Sequence, residues 1–264
     1  MTKFTSLYSG SDRNASVIEY KNTKILIDCG GSFRQLCESL KELDLSVDEL
    51  DGVLITHSHS DHIKALPMLL KHTDLKVYSS LGTHEELYDF KMDMEAERRV
   101  IIAGGTKFYI NDILVNPFDT PHDTGGSMGF NFEFGEKIMT YATDVGHIPV
   151  EFKDWITANE FVFLESNHDV EMLKNSARPY FLKQRILGKR GHLSNKLSAE
   201  FSNYLIKNNG VKKIMLAHLS AEANTPRTAY ESTRSKLEQN NIIVGKDVEL
   251  QVANRGVISD TVVF

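Results

Sequence analysis

Runs of apolar residues, read against the polar positions between them, divide the chain into predicted strands and helices. Strand-like runs open it: KFTSLY (3–8), SVIEY (16–20) and TKILIDC (23–29). In FRQLCESLKEL, residues Phe33, Leu36, Cys37, Leu40 and Leu43 fall at helical spacing. DGVLIT (51–56) is a short apolar strand that runs into the polar stretch HSHSDH (57–62). KVYSS (76–80) predicts another strand, and THEELYDF begins a helix. From 107 to 143 the pattern is rich in strands, and FGEK (134–137) fits a hairpin turn. EFVFLES (160–166) and KKIMLAH (212–218) predict buried strands, residues 196–208 and 226–240 predict helices, and VELQVA and GVISDTVVF close the chain as strands. Two βα halves, with helices over their outer faces, account for this rhythm. No Pro/Gly/Ser-rich linker and no repeat of 20–50 residues interrupts it, so a single domain over residues 1–264 is expected.

Composition bounds the function. The 264 residues are 41% hydrophobic and 25% charged, ordinary for a globular protein, and the formal net charge is −6. That balance argues against a general nucleic-acid coat protein. No apolar run approaches ~18 residues and the N-terminus lacks an apolar signal core, so a cytoplasmic protein without a membrane partner is expected. Two cysteines do not make a disulfide framework, and Cys29 is expected to be a small buried thiol.

The polar cluster changes this bland picture. His57 and His59 are two apart, so in extended chain they point the same way and can chelate one cation. Asp61 and His62 follow where the chain turns into a helix, aimed at a second point, which suits two metals about 3.5–4 Å apart. Pro67 sits early in that helix or restarts it. Further ligands belong at other strand ends, and His122, Asp144 and His218 each stand just past an apolar run. Five imidazoles and two carboxylates without a thiolate suit zinc or manganese. The alternative is a polar loop with an N-cap, but burying so many polar groups at one strand end costs too much without a partner. His72 and His84 are expected to be solvated and His147 to lie at the surface.

These residues resemble the metallo-β-lactamase fold superfamily. HSHSDH matches its HxHxDH signature, ILIDCG resembles its first motif, and His122, Asp144 and His218 fall in the order of its later motifs. The resemblance implies an α/β fold, a four-layer αββα sandwich with two divalent metals at one edge and Asp28 supporting the histidine loop. An Asp rather than Cys or Ser at 144 resembles the hydrolases whose carboxylate bridges two metals. SGSDRNAS (9–16), FLESNHDVEML (163–173), GHLSN (191–195) and LAHLSAEAN (216–224) resemble segments of the YycJ/WalJ family, with Arg13 at a position that is often Gly there. Membership would imply a dinuclear-metal nuclease with 5′-to-3′ exonuclease activity on DNA and no nucleotide cofactor.

On that basis a hydroxide shared by two cations would attack phosphorus in line, without a covalent intermediate. Asp144 would bridge the metals and Asp61 would accept a proton from the water. His168 and His192 would contact the phosphate or protonate the leaving oxygen, and Asn14 would bond at the edge of the site. Residues 178–196 carry Arg178, Lys183, Arg185, Lys189, Arg190 and Lys196 with no Asp or Glu, leaving −12 for the rest of the chain. This is a candidate DNA-binding segment, with Tyr180 and Phe181 placed to stack on bases; the plain alternative is a solvated helix face. A small-molecule (cyclic) phosphodiesterase is the nearest rival function. A glyoxalase II-like thioester hydrolase fits the motif but needs no basic segment, and a non-catalytic binding module does not need a complete ligand set.

Overall fold

The computed structural model describes residues 1–92 and 94–264. It separates into two compact units, one of residues 1–119, 124–128 and 254–264, the other of residues 120–123 and 129–253.

In the first unit, β1 (Thr2–Gly10), β2 (Arg13–Tyr20) and β3 (Thr23–Ile27) form an antiparallel meander, in register at Thr2↔Tyr20 and Ser16↔Ile27. From β3 the sheet turns parallel through β4 (Gly52–Leu54), β5 (Val77–Ser79) and β6 (Arg99–Ile101). Parallel neighbours need crossovers, and helices supply them. The chain passes through α1 (Phe33–Glu42) between β3 and β4, α2 (Ser60–Ile63) and α3 (Leu66–His72) between β4 and β5, and α4 (Leu81–Asp89) between β5 and β6. α1 starts at a Ser32–Gln35 capping box and buries Leu36 and Leu40, two of the positions its periodicity marked. Pro67 restarts the chain as α3 after the single turn of α2. Leu26, Leu36, Leu40, Val53, Ile55 and Leu66 share one apolar cluster. β7 (Phe108–Ile110) and β8 (Ile113–Asp119) make a hairpin whose turn places Asn111 at φ 47°.

The second unit starts with the hairpin of β9 (Met128–Phe134) and β10 (Lys137–Ala142), turning at Gly135 with φ 71°. α5 (Phe152–Trp155) leads to β11 (Phe161–Glu165). Then follow α6 (Val170–Asn175), α7 (Tyr180–Leu187), α8 (Asn195–Asn209), β12 (Lys213–Ala217), α9 (Pro226–Glu238) and β13 (Glu249–Val252). β10 to β13 run parallel, with Met139↔Phe161, Phe161↔Lys213 and Lys213↔Glu249 in register. β11 is buried throughout and β12 beyond its first residue, which explains their nearly unbroken apolar sequences. α8 is capped by Ser194 and ends at Gly210, whose φ of 74° closes it in the left-handed region. The chain returns to the first unit with β14 (Val262–Val263), antiparallel to β1.

Some expectations change. The closing strand is far shorter than 256–264, α6 occupies a region without a predicted element, and α7 lies in the basic segment, where a helix is expected only in the alternative reading. His84 is buried rather than solvated, its Nε2 3.3 Å from the Val100 carbonyl and its pKa lowered by burial. His72 is exposed and stacks on Phe33. Cys29 is buried as expected. Among the described residues no helix is long and apolar enough to cross a membrane.

Phe163 of β11 is fully buried and stacks on Tyr141 of β10 at 4.8 Å. Phe163→Ala is therefore expected to cost about 3–5 kcal/mol. Urea denaturation would show this as a lower midpoint, and an unchanged midpoint would contradict the packing.

Candidate metal centre

Parallel strands deliver their polar residues at their C-terminal ends, where the open backbone of an α/β sheet admits a ligand. Asp28 follows β3, Thr56 and the histidine loop follow β4, Asp144 follows β10, Glu165 ends β11, and His218 follows β12. Asp28, Asp144 and His218 have φ values of 58°, 56° and 56°. The left-handed region is strained for such residues, and strain of this kind gathers at functional sites.

In the first unit the carboxylate of Asp28 is wholly buried. It accepts hydrogen bonds from the Thr56 amide (2.8 Å), the Thr56 hydroxyl (2.9 Å) and His62 Nδ1 (2.8 Å). Burial pushes the Asp28 carboxyl up, and His62 and Thr56 oppose that shift. With Nδ1 donating to Asp28, His62 presents Nε2 as its lone-pair nitrogen. The hydrogen-bond network assigns this tautomer, as it does those of the other rings. His57 Nδ1 lies 3.0 Å from the Thr56 hydroxyl, so its Nε2 is likewise the ligand nitrogen, 3.0 Å from His59 Nδ1. Two nitrogens of one tetrahedral zinc stand about 3.3 Å apart, so the pair is close to a chelating geometry. The Asn14 amide nitrogen reaches His62 Nε2 (3.0 Å) and Asp61 Oδ2 (3.2 Å), and Asn14 is also bonded to the Gly10 backbone. Ser58, between the two chelating histidines, donates to Glu86 Oε2, and the other Glu86 oxygen accepts from the Gly125 amide.

In the second unit Glu165 plays the part of Asp28. Its Oε1 receives Nδ1–H from both His192 (2.9 Å) and His218 (2.8 Å), and its Oε2 receives the amides of Val145 (2.8 Å) and Leu193 (3.0 Å). Burial alone would raise this carboxyl, but the two histidines outweigh it and hold Glu165 well below the usual carboxylate range. His122 donates Nδ1–H to the Gly191 carbonyl (3.0 Å), which turns its Nε2 toward Asp144 Oδ1 at 3.5 Å. Asp144 Oδ1 is also 3.5 Å from His192 Nδ1 and 3.6 Å from His218 Nδ1. Donor atoms of Asp144, Glu165, His192 and His218 lie within 4.8 Å of one another. Imidazole nitrogens and carboxylate oxygens without thiolate fit a divalent cation such as zinc or manganese.

Glu165 and Thr56 are central and went unremarked in the sequence. Glu165 obeys the same rule that marked Asp144 and His218, since it ends an apolar strand. His168 is buried beside this cluster, 1% exposed, and neither of its ring nitrogens has a hydrogen-bond partner. Burial pulls its pKa from the ordinary 6.5 to about 4.

The basic segment divides. Arg178 pairs with Glu222, Arg185 with Asp123, and Lys183 bonds the carbonyls of Lys174 and Ser176. Arg190 Nε bonds the His122 carbonyl. No hydrogen bond or ion pair engages the side chains of Lys189 and Lys196 among the described residues, and both residues are exposed.

Residues 23–219 match the β-lactamase superfamily domain. An exodeoxyribonuclease YycJ of Bacillus anthracis is 34% identical over 248 residues, covering 94% of this chain and 93% of that protein. The chain belongs to the metallo-β-lactamase superfamily, in its YycJ/WalJ branch. An exodeoxyribonuclease WalJ of Streptococcus pneumoniae is 32% identical over 252 residues, with the same coverage of both proteins. The fold agrees: a metallo-β-lactamase fold protein YhfI of Bacillus subtilis superposes with a TM-score of 0.70 over 98% of this chain and 100% of that one, at 15% identity. Zinc-bound PqqB of Methylobacterium extorquens superposes at 0.69 over 98% and 99%, at 16% identity.

The buried neutral His168 makes stability depend on pH. Its pKa is lower folded than unfolded, so the unfolded chain binds the extra proton between about 6.5 and 4. This contribution is fully present above pH 6.5 and is lost as pH falls, by about 2 kcal/mol at pH 5. Urea denaturation at pH 7.5 and pH 5 should show a smaller loss in His168→Gln than in the parent, and equal losses would contradict the account.

Proposed function

We propose that the protein hydrolyses phosphodiester bonds of DNA as a 5′-to-3′ exonuclease in the cytoplasm. Its enzymatic class follows from its family: it is a metal-dependent hydrolase of the nuclease and phosphodiesterase kind. Two divalent ions, zinc or manganese, would be held by His57, His59, Asp61, His62, His122, Asp144 and His218. When bound, such ions supply Lewis acidity and an activated water. The observation that carries the proposal is the Nδ1 hydrogen bonding of His57, His62, His122 and His218. Each gives its Nδ1–H to a protein oxygen, which leaves Nε2 as the ligand nitrogen.

The protein's own groups have separable tasks. Asp28 and Glu165 orient imidazoles. Asp61, whose Oδ2 is already tied to Asn14, accepts a proton from the attacking water. His192 has an 18% exposed side chain and a carboxylate behind its Nδ1. With its Nδ1–H kept on Glu165, its Nε2 takes up a proton from solvent and passes that proton to the leaving oxygen. The unsatisfied ring of His168 bonds a phosphate oxygen of the substrate. Lys189, Arg190 and Lys196 supply positive charge along the strand, while Arg178, Lys183 and Arg185 chiefly hold the basic segment in place through their internal bonds.

Asp144→Ala is expected to lose bound metal and at least about 100-fold in turnover. Elemental analysis and DNA hydrolysis measure both, and full metal content with parental turnover would discard its role as a ligand. With 5′-labelled and 3′-labelled DNA, the 5′ label should be released first as a short product. Early release of the 3′ label would reverse the polarity, and hydrolysis of bis-aryl phosphate without any DNA cleavage would favour a small-molecule phosphodiesterase.

A further inference from the structure

Helix α4 turns one face to the chain that lies behind the histidine loop. Ser80, its N-cap, stands three residues before Thr83 and six before Glu86, so these side chains share that face. The Ser80 and Thr83 hydroxyls donate to the Gly126 carbonyl (2.7 and 3.2 Å), and Glu86 Oε1 accepts the Gly125 amide (2.8 Å). The approach demands a glycine on the helix, since a Cβ on Gly82 would stand 2.0 Å from the Gly125 carbonyl oxygen. Met128 adds its own bond, giving its amide to the Thr56 carbonyl (3.0 Å). Segment 124–128 is thus fastened both to α4 and to the end of β4, and all three belong to the same compact unit.

The second oxygen of Glu86 reaches the histidine loop itself. Oε2 accepts the hydroxyl of Ser58, the residue between His57 and His59, and Ser58 is 4% exposed. In extended chain, successive side chains point to opposite sides. His57 and His59 face one side together, with Nε2 of the first 3.0 Å from Nδ1 of the second, so Ser58 faces the other way, into α4. A buried hydroxyl needs a partner, and Glu86 supplies it. Ser58 also shares a peptide group with each histidine. Any rotation of residue 58 therefore displaces both rings and changes the gap between their nitrogens. One half-buried carboxylate holds the back of the histidine pair against a segment that is itself fixed at Gly125, Gly126 and Met128.

We infer that Glu86 is a positioning residue for the metal ion held by His57 and His59, setting the spacing of that pair through Ser58 without touching metal or substrate. This goes beyond the reaction proposed above and rests on its assignment of the two histidines as ligands. Partners behind metal ligands are typically worth about 10–100-fold in metal affinity. The effect of Glu86 is confined to the ion of this pair, because its two bonds end on Ser58 and Gly125. A residue that merely stabilised the fold would weaken both ions alike.

Zinc titration of the metal-free protein, in competition with a chromophoric chelator, reads both ions without any turnover. The parent should bind two. Glu86→Ala and Ser58→Ala should each weaken one ion about 10–100-fold and leave the other within about threefold. The double variant Ser58→Ala/Glu86→Ala should be no weaker than Glu86→Ala, because the two residues act through one bond. Glu86→Gln should stay within about threefold of the parent, since its amide can accept from Gly125 and donate to the Ser58 hydroxyl. Gly125→Ala leaves Glu86 and every proposed ligand unchanged, but its Cβ would stand 2.8 Å from Glu86 Oε1 and push the carboxylate aside. Zinc should weaken in it as in Glu86→Ala, and it carries the test together with Ser58→Ala if Glu86→Ala does not fold. Parental affinity in Ser58→Ala and Gly125→Ala, or equal weakening of both ions, would overturn the inference. So would a loss in Glu86→Gln as large as in Glu86→Ala, which would mark charge rather than position. A parent that binds no zinc, or a His57→Ala variant that binds both ions at parental affinity, would overturn the ligand assignment, and the inference would fall with it.

Discussion

Two wholly buried carboxylates, Asp28 and Glu165, set the direction in which the site's histidines face. An imidazole offers a metal one lone pair, and which nitrogen carries it depends on where the ring's proton is held. Asp28 takes the Nδ1 proton of His62, and a single oxygen of Glu165 takes those of His192 and His218. The Thr56 hydroxyl and the Gly191 carbonyl do the same for His57 and His122. A buried carboxylate without such donors would be costly, so the carboxylates need the histidines as much as they orient them. Glu165 is satisfied by four donors and Asp28 by three.

The backbone that carries these groups is not relaxed. Asp28, Asp144 and His218 all leave their strands in the left-handed region. Conformations of this kind cost on the order of 1–3 kcal/mol each and persist only where surrounding structure enforces them. The enforcement is visible at Asp28, whose own amide bonds the Leu54 carbonyl while its carboxylate bonds the Thr56 amide. The neighbouring Cys29 amide bonds the His62 carbonyl, and a Cβ on Gly30 would stand 1.8 Å from the Asp61 carbonyl oxygen. The first strand ending and the histidine loop are thus one rigid piece. The strained turn sends the Asp28 side chain back to His62 instead of onward with the strand.

Much of this was legible in the sequence because it repeats simple periods. The apolar runs of β3, β4, β11 and β12 and the 3.6-residue pattern of α1 are local signals, and so is the spacing of His57, His59, Asp61 and His62. The strand-end rule reached Asp144 and His218 for the same reason. It stopped short of Glu165 because a glutamate at the end of FVFLE is indistinguishable, by pattern, from a solvated strand terminus. Only the fold brings His192 and His218 onto one of its oxygens. α7 was readable only as an alternative, because both of its sides carry apolar residues and no polar face marks its period. The burial of His84 depends on the distant Val100 carbonyl, and the engagement of Arg178 and Arg185 depends on Glu222 and Asp123, partners that no local window contains.

The central claim is that buried carboxylates hold His62, His192 and His218 as Nδ1–H tautomers, which leaves Nε2 of His62 and His218 for a metal and Nε2 of His192 for the substrate. Long-range proton–nitrogen correlation NMR of the metal-free protein, with histidine side chains labelled with nitrogen-15, reads this directly. The account predicts Nδ1-protonated, slowly exchanging rings for His62, His192 and His218 near neutral pH. Nε2-protonated rings, or rapid averaging between the two tautomers at these three positions, would contradict it.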